Sequence, residues 1–377
     1  MRLNNEEQPR EITNAYILGA GFSTYGGLPL QKNFTKSLLN VDLLKEKGPS
    51  RATVRFLKKF VTTVYGQEES SSPMHWPSLE DVFTNIDLAA NSGHHLSNVF
   101  SSADLRTVRR ALIARIIRML RRQYKKTFNE KPKTFKILEE FFSKINLRKS
   151  AFINMNWDTL VEEMIRFTNP KLTINYCCDA LSAEISKESK EKIVLSKSSQ
   201  NNSIDLVKMH GSVNWLYCDN CSQLYSFHPN KSEAIARQML GQRDWNIIRR
   251  FIKETTKQEV GHLKCYQCTT ILSTRIATFS YLKALDFPMF QKSWFSAETL
   301  LKNAKTWIFI GYSLPSADYE FKHLLKRVQL SKPTPPKIVV ITSGDKTQET
   351  YKKFFGKIIS FKKGITEGVI TYLGEID

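Results

Sequence analysis

Four cysteines are the residues of this chain best suited by type and spacing to do chemistry. Cys218 and Cys221 form one C-x-x-C pair, and Cys265 and Cys268 form a second. Each pair makes a tight knuckle that puts two sulfurs on one edge of a tetrahedron, the arrangement of a zinc ion held by four thiolates. Such a closed set leaves no coordination position for substrate, so its role is structural. Disulfides or unrelated buried thiols are the alternatives. Residues 222–264 separate the knuckles, so an insertion, helical and basic over about 231–254, must loop out between them. Cys177 and Cys178 read as small buried residues.

A second set of polar residues stands where short apolar runs end. Tyr16-Ile17-Leu18 breaks into Gly19-Ala20-Gly21, with Ser23 just beyond. Glycines after a strand let the backbone approach a phosphate, and a helix starting near Ser23 would turn its first amides toward one. Gly19 and Gly21 match the first two glycines of G-x-G-x-x-G, but Thr24 stands at the third. Ala151-Phe152-Ile153 runs into Asn154, Asn156 and Asp158; residues 204–209 end in His210-Gly211. Residues 306–310 end in Gly311-Tyr312-Ser313, and residues 337–342 in Ser343-Gly344-Asp345. Alone, a glycine turn is more often a plain strand–turn–helix junction, and a histidine more often a satisfied structural one. In open parallel sheets, however, ligands bind beyond the carboxyl ends of the strands. Together these ends describe one crevice of amides, asparagines, an imidazole and hydroxyls, suited to a dinucleotide.

The elements that must position these residues alternate between strand and helix. That pattern predicts an α/β fold with a Rossmann-like, doubly wound parallel sheet. A large helical insertion is expected over 35–147, and a small zinc-ribbon subdomain, with its own helical insertion, over 213–272. Within the first insertion Ser78 is placed to cap a helix through Val82 and Ile86. Leu105, Val108, Leu112, Ile116, Met119 and Leu120 recur at helical spacing over 105–128. The same helix carries Arg106, Arg109, Arg110, Arg115, Arg118, Arg121 and Arg122, either a solvated cationic face or a surface for a polyanion or partner. Residues 182–203 read as a solvated excursion, and a strand is expected near 271–279. With 56 Lys and Arg against 36 Asp and Glu, the net charge of +20 would attract nucleic acid, anionic membrane or an acidic partner. No apolar run spans a bilayer, and the polar first residues carry no secretory signal, so a cytoplasmic protein without a membrane role is expected.

These motifs together carry a resemblance. Gly19-Ala20-Gly21-Phe22-Ser23 with Gly27-Leu28-Pro29 resembles the first sirtuin motif. Asn156-Trp157-Asp158 resembles the asparagine–aspartate motif, and His210-Gly211 the histidine–glycine motif. The paired cysteines are similar to the sirtuin zinc ribbon, and Gly311-Tyr312-Ser313-Leu314 to the late glycine–serine motif. The wording of residues 208–215 and of Gly311 to Pro315 with Asp318 resembles the sirtuin-like NADases of bacterial antiphage defence, including those paired with a HerA-type ATPase. The resemblance extends over most of residues 1–377.

The resemblance implies an NAD-binding domain that cleaves NAD+ to nicotinamide and ADP-ribose. Asn156 would hold the ribose or aim a water, and His210 would act as base or proton relay. Asp158 would fix the loop beside nicotinamide. Gly19, Ala20, Gly21 and Ser23 would cradle the pyrophosphate; Gly311, Ser313 and Asp345 would contact the rest of the cofactor, the last two near the adenosine half. Control by self-assembly into a homo-oligomer or by the ATPase is implied, and nucleic acid is a candidate ligand of the basic face. Protein-lysine deacylation is the alternative activity. Against it, residues 276–283 lack the phenylalanine–glycine–glutamate segment that helps a deacylating sirtuin hold its peptide.

Overall fold

The structure, a computed structural model, describes residues 11–30, 33–66, 76–196, 202–254, 260–274, 276 and 288–376. The main sheet comprises β1 (Asn14–Leu18), β2 (Ser150–Asn154), β3 (Thr173–Asn175), β6 (Ser203–Lys208), β9 (Thr306–Ile310), β10 (Lys337–Ile341) and β11 (Ile359–Phe361). Their order is β11-β10-β9-β1-β2-β6-β3, and every pairing is parallel. A parallel sheet is covered on both faces, so its central strands are apolar throughout rather than alternating. β1 shows this: Tyr16 and Leu18 enter one core, Ala15 and Ile17 the other. The first core lies under the helical insertion; the second lies under α10 (Pro288–Asn303), α11 (Tyr319–Ser331) and α12 (Asp345–Phe355). The expected α/β, Rossmann-like, doubly wound architecture is the one observed.

Between β1 and β2 the chain forms α1 (Ala20–Ser23), α2 (Phe34–Leu39), α3 (Gly48–Tyr65), α4 (Leu79–Asn91), α5 (Ser102–Glu130) and α6 (Lys133–Lys144). Ser78 caps α4 as expected, its side chain accepting from the Asp81 amide. α5 starts on a capping box in which Ser101 and Asp104 satisfy each other's backbone N–H. α7 (Leu160–Thr168) follows β2, and α13 (Glu367–Glu375) closes the chain against α6. No helix among the described residues is long and apolar enough to cross a membrane.

Each arginine of α5 is engaged by this same chain, although Arg106 and Arg122 remain exposed at the surface. Arg106 donates to the Ala90 carbonyl, and Arg109 pairs with Asp87 at 2.9 Å. Arg110 reaches Asp244, Arg118 reaches Glu233 at 3.0 Å, and Arg121 reaches Glu163 at 3.3 Å. Arg115 and Arg122 share Glu46. Burial pushes the Glu46 carboxyl up, but hydrogen bonds from Arg122 and Ser50 and the charge of Arg115 outweigh it and hold it at about 2. The helix is therefore a hub whose cations tie the insertion to the rest of the molecule.

A second sheet, ordered β5-β4-β8-β7, contains β4 (Leu181–Ile185), β5 (Ile193–Leu195), β7 (Trp215–Tyr217) and β8 (Leu224–Phe227). Residues 182–203 are thus not wholly a solvated excursion. β4 and β5 pair antiparallel and bury Ala183 and Ile193. Helices α8 (Ser232–Arg237) and α9 (Gln242–Ile252) fill the gap between the cysteine pairs, close to the expected 231–254. They pack on α5 and α3, where Asp244 accepts from Thr107 at 2.7 Å and Asp104 from Arg250 at 2.5 Å. Of the strand expected near 271–279, Ile271 and Ser273 form isolated bridges; residues 275 and 277–287 lie outside the described residues.

Candidate functional site

The loops that follow β1, β2, β6 and β9 meet at the carboxyl edge of the sheet, as parallel topology requires. The first two glycines do something other than expected there. Gly19 N–H donates to the Ile310 carbonyl at 3.1 Å, and Gly21 N–H to the Gly311 carbonyl at 2.9 Å. A Cβ on Gly19 would come within 2.6 Å of Gly311 O. These glycines let the β1 and β9 loops touch, and their amides are spent on that contact rather than turned toward a phosphate. The helix also begins earlier than expected: α1 starts at Ala20 and ends at Ser23.

Ser23 instead links the β1 loop to the β2 loop. Its hydroxyl donates to Asp158 Oδ2 at 2.5 Å, while Asn156 Nδ2 donates both to Ser23 Oγ at 2.9 Å and to Gly19 O at 2.8 Å. With both amide hydrogens committed, Oδ1 is the atom with which Asn156 can meet a ligand, so it offers an acceptor. Asp158 Oδ1 caps α7 by accepting from the Leu160 amide at 3.0 Å. Ala20, Ser23, Asn156 and Asp158 line one pocket, together with Leu28, Pro29, Met155 and Trp157 and, from the helical insertion, Phe34 and Leu120. Asp158 is the one ionisable side chain among these lining residues. The pocket holds about 60 Å³. That is room for a few waters and well below the roughly 300 Å³ at which ligand pockets begin. A dinucleotide needs its wall to move outward.

His210 is buried next to this pocket, on the other side of Met155. Its Nδ1 lies 3.1 Å from the Met155 carbonyl. A carbonyl only accepts, so the proton sits on Nδ1 and Nε2 is left as the basic nitrogen. Nε2 faces Asp318 at 3.9 Å, and Asp318 Oδ2 accepts from the Tyr312 hydroxyl at 2.9 Å. Burial, with Asp318 nearby, pushes the Tyr312 phenol well above its ordinary value. Asn156 and His210, distant in the chain, are thus brought together through Met155, and the Gly311 loop reaches His210 through Asp318.

Beneath Asp158 lies a buried network that the sequence reading passed over. Lys208, fully buried, donates to the Asp158 carbonyl and pairs with the equally buried Glu162 at 3.4 Å. Glu162 Oε1 also accepts from the Tyr176 hydroxyl at 3.3 Å, and Tyr176 accepts from Asn214 at 3.0 Å. Burial raises the Glu162 carboxyl, against the pull of Lys208. Lys208→Met is expected to lower stability by roughly 3 kcal/mol, because it strands a buried carboxylate. Adding Glu162→Gln, which keeps an acceptor for Tyr176, should recover about half of that loss. Urea unfolding reads both variants, and a double variant no more stable than the single one would contradict this account.

The remaining expected site residues are less involved. Ser313 is exposed at the rim of the Gly311 loop. Asp345 opens α12 beyond β10, where it pairs with Lys362 and stands apart from the pocket. The four cysteines do converge: Cys218, Cys221, Cys265 and Cys268 place their sulfurs within 4.8 Å of one another. The shortest approaches, Cys218 to Cys268 at 3.3 Å and Cys221 to Cys265 at 3.5 Å, cross between the knuckles. A tetrahedron with metal–sulfur arms of about 2.3 Å has edges of about 3.8 Å, so the set fits a metal ion such as zinc. The Tyr225 hydroxyl at 3.1 Å from Cys265 Sγ and Thr270 Oγ1 at 3.3 Å from Cys268 Sγ supply outer hydrogen bonds. Neither a scan against models of known protein families nor a search of curated proteins matches this chain to any of them.

Proposed function

We propose that this chain is an NAD+ glycohydrolase, converting NAD+ and water to nicotinamide, ADP-ribose and a proton, and that it serves bacterial antiphage defence by depleting NAD+. One observation carries the reading: Ser23, Asn156, Asp158 and His210, each singled out by its motif, gather at one carboxyl edge of a doubly wound sheet. The pocket chemistry supports it. Apolar walls with a single carboxylate complement the cationic nicotinamide ring of NAD+. The acceptor offered by Asn156 suits a ribose hydroxyl or the attacking water. The Nε2 of His210 can take the proton which that water or hydroxyl loses, with Asp318 stabilising the resulting imidazolium. The cysteine cluster takes a Zn(II) ion that holds the small sheet and has no part in the reaction. An enzyme of this kind must be restrained in healthy cells, so assembly into a homo-oligomer or docking of a HerA-type ATPase belongs to the same proposal.

The test is nicotinamide release by the purified chain, alone and with its partner, followed by chromatography. Asn156→Ala and His210→Ala are each expected to lower kcat by about a hundredfold or more, the usual effect of losing a positioned polar group or a proton acceptor. Release unchanged in the double variant would refute the assignment. Release that requires an acylated peptide would identify a lysine deacylase instead.

A further inference from the structure

The pocket has a wall that the glycine and asparagine motifs do not supply. Leu120 on α5 lines it directly. Tyr124, one turn on, is buried, and Thr127, three residues further, donates its hydroxyl to the Gly26 carbonyl at 2.9 Å. Residues at this spacing share one helix face, so a single stripe of α5 lies along the β1 loop. Arg121, beside the stripe, reaches Glu163 at 3.3 Å and fixes α5 to α7, the helix that Asp158 caps.

The Tyr124 hydroxyl is enclosed and completes no hydrogen bond of normal geometry among the described residues, although the Asp158 carboxylate is near enough to act on it as an acceptor. A buried hydroxyl left in this state is destabilising, and phenylalanine would fill the same space without that penalty. The carboxylate beside it is Asp158, which adds to burial in pushing the phenol well above its ordinary value. The hydroxyl is thus a donor held next to the one charged group that lines the pocket. A small adjustment at that carboxylate, whose Oδ2 already takes the Ser23 hydroxyl bound by Asn156, would complete the bond.

We propose that Tyr124, supplied by the helical insertion, is a positioning residue of this site: when NAD+ occupies the pocket, its hydroxyl donates to Asp158 and thereby sets Ser23 and the Asn156 amide. The inference rests on the glycohydrolase reading and adds to it that the insertion is part of the reaction pocket.

The experiment compares the full chain with Tyr124→Phe for thermal unfolding, NAD+ binding by calorimetry and nicotinamide release. The phenyl ring preserves the packing, so the melting temperature is expected to be unchanged or higher. The kcat is expected to fall about tenfold, the value of one hydrogen bond to a charged group, with KM moving less than twofold. In an Asp158→Asn background the same change should have almost no further effect. An active wild type with an unaltered kcat in Tyr124→Phe would overturn the inference and leave the glycohydrolase reading standing. A fall in kcat matched by a lower melting temperature and a raised KM would make Tyr124 a packing residue and overturn it equally. A wild type that neither binds NAD+ nor releases nicotinamide would overturn the glycohydrolase reading, and this inference with it.

Discussion

Exchanging Cys265 and Cys268 together for serine is expected to strip the chain of one equivalent of zinc and to unfold the small sheet locally. The strands there are short: β7 has 3 residues and β8 has 4. Sheets of that size are marginal unless something outside the ladder holds them. The two knuckles repeat one backbone device. Ser222 N–H closes onto Cys218 O and Thr269 N–H onto Cys265 O, and both Ser222 and Thr269 adopt left-handed conformations, at φ 59° and 58°. A non-glycine residue in that region is strained by about 1–2 kcal/mol, so both turns need an outside restraint. Tyr217 and Ser273 then join the knuckles through reciprocal backbone bonds of 2.7 and 2.9 Å. A tetrathiolate zinc ion supplies an apparent 10–16 kcal/mol in small zinc domains, far more than these few bonds. The effect should travel further. Glu233 and Asp244, on the helices between the knuckles, hold Arg118 and Arg110 of α5, the helix that also lines the pocket beside Asn156 and Asp158. Loss of zinc should therefore open residues 213–274 to protease and reduce nicotinamide release together. Elemental analysis and limited proteolysis measure the first two effects. A serine variant that lacks zinc yet resists protease like the wild type would show that the metal does not hold this module.

Much of the architecture could be read from local patterns because local physics sets them. The continuous apolar run at residues 16–18 and its counterparts at 151–153 and 306–310 mark strands buried on both faces, and they became β1, β2 and β9. The cysteine spacing named a cluster that did form. What stayed hidden depends on partners remote in the chain. Seven arginines on one helix look like a cationic face until Glu46, Asp87, Glu163, Glu233 and Asp244 arrive from other elements to neutralise several of them. Ser23 looked like part of a phosphate loop, but its hydroxyl is taken by Asp158, 135 residues away. Lys208 and Glu162 carried no signal as a pair, because β6 and α7 are brought side by side only by the sheet order. Tyr124 lay in the same helical segment and carried no signal of its own. The strand at Leu181–Ile185 is a different kind of miss: its alternation of apolar and polar residues was there to be read beneath the serine- and lysine-rich composition.

Gly311→Ala is expected to destabilise the fold by about 4 kcal/mol, combining left-handed backbone strain of 1–2 with overpacking of 1–3. Gly311 holds φ at 61°, where any side chain is strained. A Cβ there would also stand 2.6 Å from Gly21 Cα and nearer still to the backbone nitrogen of Phe22. Neither neighbour can give way. Phe22 is fully buried in the first core, and Gly21 is held by its bond to the Gly311 carbonyl. The β1 and β9 loops would have to separate, and each carries part of the site. Gly19 O, one anchor of the Asn156 amide, moves with the first loop; Asp318, which faces His210, moves with the second. Loss of nicotinamide release should therefore exceed what the fraction of unfolded protein explains. Guanidinium unfolding and kcat measured on the same preparation separate the two effects. Gly27→Ala serves as the comparison: its φ of 78° strains alanine similarly, yet a Cβ there meets the side-chain ends of Gln123 and Thr127, not backbone. If Gly311→Ala were no more harmful than Gly27→Ala, contact between the two loops would not be what this glycine protects, and the glycines of the β1 loop would again need a ligand to explain them.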